Sequence, residues 1–172
     1  ASLRLEFGVR NGDMLTFMST TVLAGGAGGA TTPTPSMLHW DGFDSFAGLP
    51  RSSANAARLG WGRGKYSVGG KLPTVPSHAS LHPGWFNETL PPFLDSPGGR
   101  GLVAFAHLDA DIYTSTITVL DELARRCRLR QGSVLAFDEI FGPPGIHREE
   151  ERALLETAQT YGLRWRFITY LN

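Results

Sequence analysis

Apolar residues fall into two patterns along this chain. Solid runs, "GLVAFAHLD" at 101–109 and "SVLAFDE" at 133–139, predict strands buried on both faces. Leu3–Phe7, broken only by Arg4, and Met37–Phe43 predict two earlier strands, and His78–His82 a short third. Between the runs, apolar residues recur at spacings of three and four. Met14, Leu15, Met18 and Val22 predict a first helix, with Asn11 or Asp13 as its cap. Phe86–Leu94 predicts a short helix. Ile117, Leu120, Leu123, Ala124 and Cys127 form the stripe of another, which places Cys127 in the core. Leu154, Leu155, Ala158 and Tyr161 form the stripe of the last. Glu149, Glu150 and Glu151 fall in its first turn, where negative charge suits the helix dipole, and Gly162 is its stop. "RWRFITYLN" predicts one more strand. The small-residue stretch "AGGAGGATTPTP" and the residues from about 48 to 76 predict loops, the second long enough for a lid.

Strands alternating with helices predict an α/β fold, a mostly parallel sheet with helices on both faces. In such sheets ligands bind beyond the carboxyl ends of the strands, where strand order reverses. The exits of the first, second, fourth and fifth strands each carry an acid here: Glu6 before Gly8, Asp44 in "GFDSFAGLP", Asp109 and Asp111 in "HLDADIYTST", Asp138 and Glu139 in "AFDEIFG". Glycines let a ligand approach the backbone, and an acid after the second strand suits ribose hydroxyls. Neither G-x-G-x-x-G nor the P-loop pattern is present, so a nucleoside without a pyrophosphate fits better than a dinucleotide. If the fourth and fifth strands are neighbours, Asp109 and Asp138 lie about 4.8 Å apart in strand spacing. Carboxylates that close share a proton or a cation, and oxygen donors suit Mg²⁺. Asp111 is equally a candidate helix cap, with Thr114 or Ser115.

Composition narrows the partners. The 172 residues suffice for one domain spanning 1–172. Net charge is +0, so wrapping nucleic acid is not expected. No apolar run is long enough to span a membrane, and no signal-peptide pattern opens the sequence. A single cysteine fits a reducing, cytoplasmic setting. Charge is uneven, however: Arg51, Arg58, Arg63, Lys65 and Lys71 occur between 51 and 83 with no Asp or Glu. That segment is either a solvated loop or a cover for a polar ligand, with Trp61 and Tyr66 as lid aromatics.

Six fragments in order carry a resemblance: "LEFGVRNGD", "GFDSFAGLP", "GKYSVGGKLP", "GWFNETLPPFL", "HLDADIYTST" and "GSVLAFDEIFGPPGIHREEERA". From Leu3 to about Ala158 the chain resembles the macrocin O-methyltransferase type, the macrolide-sugar enzymes among class I S-adenosylmethionine-dependent methyltransferases. The resemblance implies a Rossmann-like fold and a metal-dependent O-methyltransferase acting on a hydroxylated small molecule, a sugar or natural product. It implies that Glu6 and Gly8 line the methionine end of the cofactor and Asp44 its ribose, with Ser45 beside it. Trp85 and Phe86 fall near the adenine. Asp109, Asp138 and Glu139 match acids that hold Mg²⁺ or a similar cation, and Asp109 also borders the cofactor. Asp109 and Asp111 are the catalytic candidates, with His107 a second possible base. The looser likeness to catechol methyltransferases lacks its lysine, which is Ile112 here. Family members usually carry chain before the first strand and a last strand beside "RWRFITYLN", so a trimmed or minimal version is expected, and a homo-oligomer is the family habit. The competing readings are a non-catalytic cofactor-binding or scaffold protein and a nicotinamide-dependent oxidoreductase domain.

Overall fold

The strand runs of the sequence align in one direction. The computed structural model describes residues 2–24, 39–50, 62–140 and 148–169. Its elements in chain order are β1 (Ser2–Phe7), α1 (Asp13–Ala24), β2 (Trp40–Asp44), β3 (Ala79–Pro83), α2 (Phe86–Asp95), a 3₁₀ turn (Gly98–Arg100), β4 (Leu102–Leu108), α3 (Tyr113–Arg125), β5 (Val134–Phe137) and α4 (Glu149–Tyr161). The sheet order is β3-β2-β1-β4-β5, and every pairing is parallel. The chain builds outward from β1 in one direction, then returns to β4 on its other side. Strand order therefore reverses between β1 and β4, whose ends open a crevice.

The solid apolar runs follow from this topology, because a parallel sheet is covered on both faces. One face buries Leu5, Phe7, Phe43, Val103, Ala106 and Leu108 against Leu90 and Leu94 of α2 and Leu120 and Leu123 of α3. Phe7 stacks on Phe43 with ring centres 5.1 Å apart. The other face packs Val9, Leu15, Trp40 and Phe46.

Three sequence expectations are corrected. Cys127 is exposed: α3 ends at Arg125, and the chain turns left-handed at Cys127 (φ 54), which carries it off the stripe. The inner face of α4 is Glu150, Ala153, Leu154, Thr157 and Ala158, while Leu155 is exposed. Residues 163–169 form no strand, because a strand needs a ladder partner and none of the five strands pairs with them. Nearly all of the small-residue loop, Met37 and Leu38, residues 51–61 with Trp61, and the "GPPGIH" loop with His147 lie outside the described residues. No helix among the described residues is long and apolar enough to cross a membrane.

Candidate active site

The crevice is tied together one residue beyond each strand. Gly8 N–H donates to Phe43 O (3.0 Å), Asp109 N–H to Phe7 O (2.8 Å) and Asp138 N–H to Leu108 O (3.0 Å). Gly8, Asp109 and Asp138 thus stand side by side on neighbouring exits. The backbones are so close that a Cβ on Gly8 would lie 2.0 Å from the carbonyl oxygen of Asp109, and Gly8 has φ +97. Above them opens a cavity of about 590 Å³. It is bordered by Gly8, Asp44, Ser45, Trp85 and Phe86 on one half, and by Asp109, Asp111, Asp138 and Glu139 on the other.

Asp44 is held by the backbone: its Oδ2 accepts from Arg10 N (2.7 Å) and its Oδ1 from Phe46 N (2.6 Å). Each carboxylate oxygen keeps a second lone pair. Ser45 Oγ donates to Gly48 O (2.9 Å), bending the loop after β2. Arg10 and Tyr66 also border the cavity, and the Tyr66 ring lies beneath two cations, Arg10 at 5.4 Å and Lys65 at 4.8 Å from its centre. Glu6 does not border the cavity. It is 0 % exposed, in register with His107 on the adjacent strand, whose Nδ1 stands 3.5 Å from its Oε1. That is an ion-pair separation, and neither Glu6 oxygen has a hydrogen-bond partner. Burial pushes the Glu6 carboxyl up, more than His107 pulls it down. Burial alone would lower His107, but Glu6, then Asp109 and Asp138, raise it further.

Asp111 does not cap α3, which corrects that expectation. The cap residue is Ile112, with no side-chain bond of its own, and Glu149 Oε2 instead accepts the Tyr113 N–H (2.8 Å). Asp111 stands at the apex of a three-residue turn closed by Ile112 N–H to Ala110 O (2.6 Å), with φ 59. Such backbone is strained and persists where its surroundings hold it. Tyr113 anchors the helix: its hydroxyl donates to Glu156, and Arg152 lies over its ring.

The acids oppose one another. Burial, then Asp138, raises Asp109 from 3.8 to about 6, and burial, then Asp109 and Glu139, raises Asp111 to about 7. Burial also pushes Glu150 up to about 8, against two backbone N–H donors that pull it down. A raised carboxyl folds best protonated. Its contribution is full below its unfolded value and is lost as pH rises through the folded one. Glu6 and His107 are shifted in the same direction, while the lowered acids Glu122 and Glu156 act only at more acidic pH. Thermal melting is therefore expected to give a Tm that falls between pH 5 and 8.5. A Tm rising across that interval would contradict the ionisation pattern.

The cradle at Gly8 and the tethered Asp44 fit a nucleoside cofactor. For a cation the donor chemistry fits, since Asp109, Asp138 and Glu139 offer hard oxygens. Among the described residues, however, no three His, Cys, Asp or Glu side chains already stand together as a metal-holding group.

No protein-family model and no curated protein matches the chain. Solved structures do. The calicheamicin methyltransferase CalS11 superposes with a TM-score of 0.76 at 25% identity, over 98% of this chain and 68% of that one. The chain is an S-adenosylmethionine-dependent O-methyltransferase. An apo structure of CalS11, described as a TDP-rhamnose 3'-O-methyltransferase of calicheamicin biosynthesis, matches with a TM-score of 0.63 at 24% identity. The O-methyltransferase NovP matches with 0.69 at 18%. Each of these two covers 98% of this chain and 68% of the neighbour, and they extend the likeness in fold.

Two features of this methyltransferase escaped the sequence reading. Glu149 and Glu150 are tertiary ligands of backbone N–H groups, not merely dipole partners. The periodicity held a signal for Glu150: stepping back three and four residues from Ala153 and Leu154 lands on it. The Arg10–Tyr66 contact joins residues far apart in sequence and left no local trace.

Proposed function

We propose that this O-methyltransferase is of the macrocin type, methylating a hydroxyl of a sugar or sugar-bearing natural product with the help of a divalent cation, Mg²⁺ or similar. One observation supports the reading above all: a single cavity at the switch point has the Gly8–Asp44–Trp85 surface on one half and four acids on the other. That division suits a nucleoside cofactor facing a polyhydroxylated acceptor. The neighbour described as acting on TDP-rhamnose is consistent with a sugar acceptor.

The residue roles follow from chemistry. Asp44, fixed by two backbone donors, turns its remaining lone pairs to the ribose hydroxyls, with Ser45 shaping the loop beside it. Trp85 and Phe86 flank the adenine. Glu6, buried with His107 on the adjacent strand, supports the Gly8 turn at the methionine end from outside the cavity. Bound S-adenosylmethionine supplies the methyl group, and a cation held by Asp109, Asp138 and Glu139 would acidify the acceptor hydroxyl. Asp111, raised toward neutrality, accepts the hydroxyl proton on a carboxylate oxygen. Asp109 lies between the two halves and orients the acceptor oxygen. Charge diminishes as the methyl moves, so orientation and exclusion of water carry most of the acceleration.

Calorimetry tests this. S-adenosylhomocysteine is expected to bind, and Asp44→Ala to weaken it about 10–100-fold, the value of hydrogen bonds to a charged group. Asp138→Ala is expected to remove Mg²⁺ binding and leave the cofactor product bound. A folded wild-type protein that ignores S-adenosylhomocysteine would sink the proposal. Mg²⁺ binding untouched by Asp138→Ala would sink the metal assignment alone.

A further inference from the structure

Glu150 is 2 % exposed, in the first turn of α4, and the roles above give it no task. Its two carboxylate oxygens reach different loops. Oε1 accepts the N–H of Ala110 and Oε2 the N–H of Glu139, each at 3.3 Å. Ala110 lies between Asp109 and Asp111, and Glu139 follows Asp138. One side chain from outside the sheet therefore bridges the two strand exits that carry all four acids of the acceptor half. The residue it grips also opens the turn in which Asp111 is strained at φ 59. Strain of that kind lasts only where neighbours over-determine it. Glu149 holds the far side of the same loop through Tyr113 N–H. Burying a carboxylate beside other acids is unfavourable, and a purely apolar contact at this position would avoid that cost.

We propose that Glu150 is a positioning residue: by receiving the N–H groups of Ala110 and Glu139 on one carboxylate, it sets the Asp109–Asp111 loop against the Asp138–Glu139 loop. The proposal rests on the acceptor half assigned above. A carboxyl group is needed because both of its oxygens accept. A glutamine amide has one accepting oxygen, and its NH₂ would face the second N–H donor to donor.

Glu150→Gln keeps the shape and removes the second acceptor, so it separates a clamp from simple packing. Four quantities are compared with the wild type: Tm, S-adenosylhomocysteine affinity, amide hydrogen exchange at Ala110 and Glu139, and kcat against pH with TDP-rhamnose and Mg²⁺. The clamp predicts a folded variant with a Tm lower by a few degrees, the cost of one lost buried hydrogen bond, and unchanged cofactor-product affinity, since that half of the cavity is untouched. It predicts exchange about tenfold faster at one or both amides, with the β4 and β5 amides unaffected. It also predicts a kcat plateau about 10–100-fold lower, the cost of a small misplacement of reacting groups. Unchanged exchange at both amides would overturn the proposal, as would a shifted pH limb with an intact plateau, which is the mark of a charge effect alone. Failure of the wild type to bind S-adenosylhomocysteine would refute the functional reading instead. The exchange comparison decides the clamp even if TDP-rhamnose is not turned over.

Discussion

Gly8→Ala is expected to weaken cofactor binding severely: S-adenosylhomocysteine affinity falls about 100-fold or more, some 2.8 kcal/mol at 1.4 kcal/mol per tenfold. Two independent obstacles act together. The backbone at Gly8 has φ +97, which an L side chain adopts only with strain, and the new methyl would lie 2.0 Å from Asp109 O. That oxygen cannot retreat cheaply, because Asp109 N–H is bonded to Phe7 O and the same strand exit is bound to Asp138. Strain and overpacking together are expected to destabilise the fold by about 2–6 kcal/mol. Separating β1 from β4 to make room would also part Gly8 from Asp109 across the crevice. Calorimetry on protein shown by melting to be folded at the working temperature checks this. A folded Gly8→Ala protein with wild-type affinity would show that the close approach plays no part in cofactor binding.

Asp111→Asn is expected to lower kcat by about 10²–10⁴-fold, the range for loss of a general base, while S-adenosylhomocysteine binding persists. The carboxyl is raised to about 7 by burial, then by Asp109 and Glu139, with Lys65 pulling it back. Only its ionised form accepts a proton. Wild-type kcat should therefore rise with pH through about 7 and level off above, and a bound cation would move that rise to lower pH. Asparagine has no ionisable group, so the variant loses this limb as well as the rate. Methyl transfer to the proposed sugar acceptor, with TDP-rhamnose as the probe and Mg²⁺ added, followed from pH 5 to 9, measures both. A variant that keeps the wild-type rate and limb would remove Asp111 from the chemistry and leave His107 as the base to examine.

Much of the fold was readable because its signals are local. The runs at Leu3–Phe7 and Leu102–Leu108, the stripes of α3 and α4, and the stop at Gly162 each depend on residues a turn or a strand apart. The acids at the exits of β2, β4 and β5 were legible because parallel sheets place ligands at those ends. What failed, failed at phase and partnership. Leu155 and Glu150 are adjacent to positions that fit either rotation of α4, and a count of apolar residues favours the wrong one. Cys127 continues the stripe on paper, yet the helix has already ended. "RWRFITYLN" has strand composition, but composition does not supply a neighbouring ladder.

By itself the sequence determined the alternation of strands and helices, the glycine at the exit of β1 and the acids at the exits of β2, β4 and β5. Side-chain period and backbone permissiveness are properties of short stretches, so they survive without knowledge of the rest. Only the tertiary structure decided that β1 and β4 are neighbours, that Asp44 and Asp109 border one cavity, that Asp111 faces that cavity while Glu149 caps α3, and that Glu150 reaches two loops at once. Those outcomes depend on which distant residues are brought into contact and how much water is excluded between them. The same exclusion raises Asp109, Asp111 and Glu150 together, so their chemistry belongs to the assembled crevice and to none of the segments that form it.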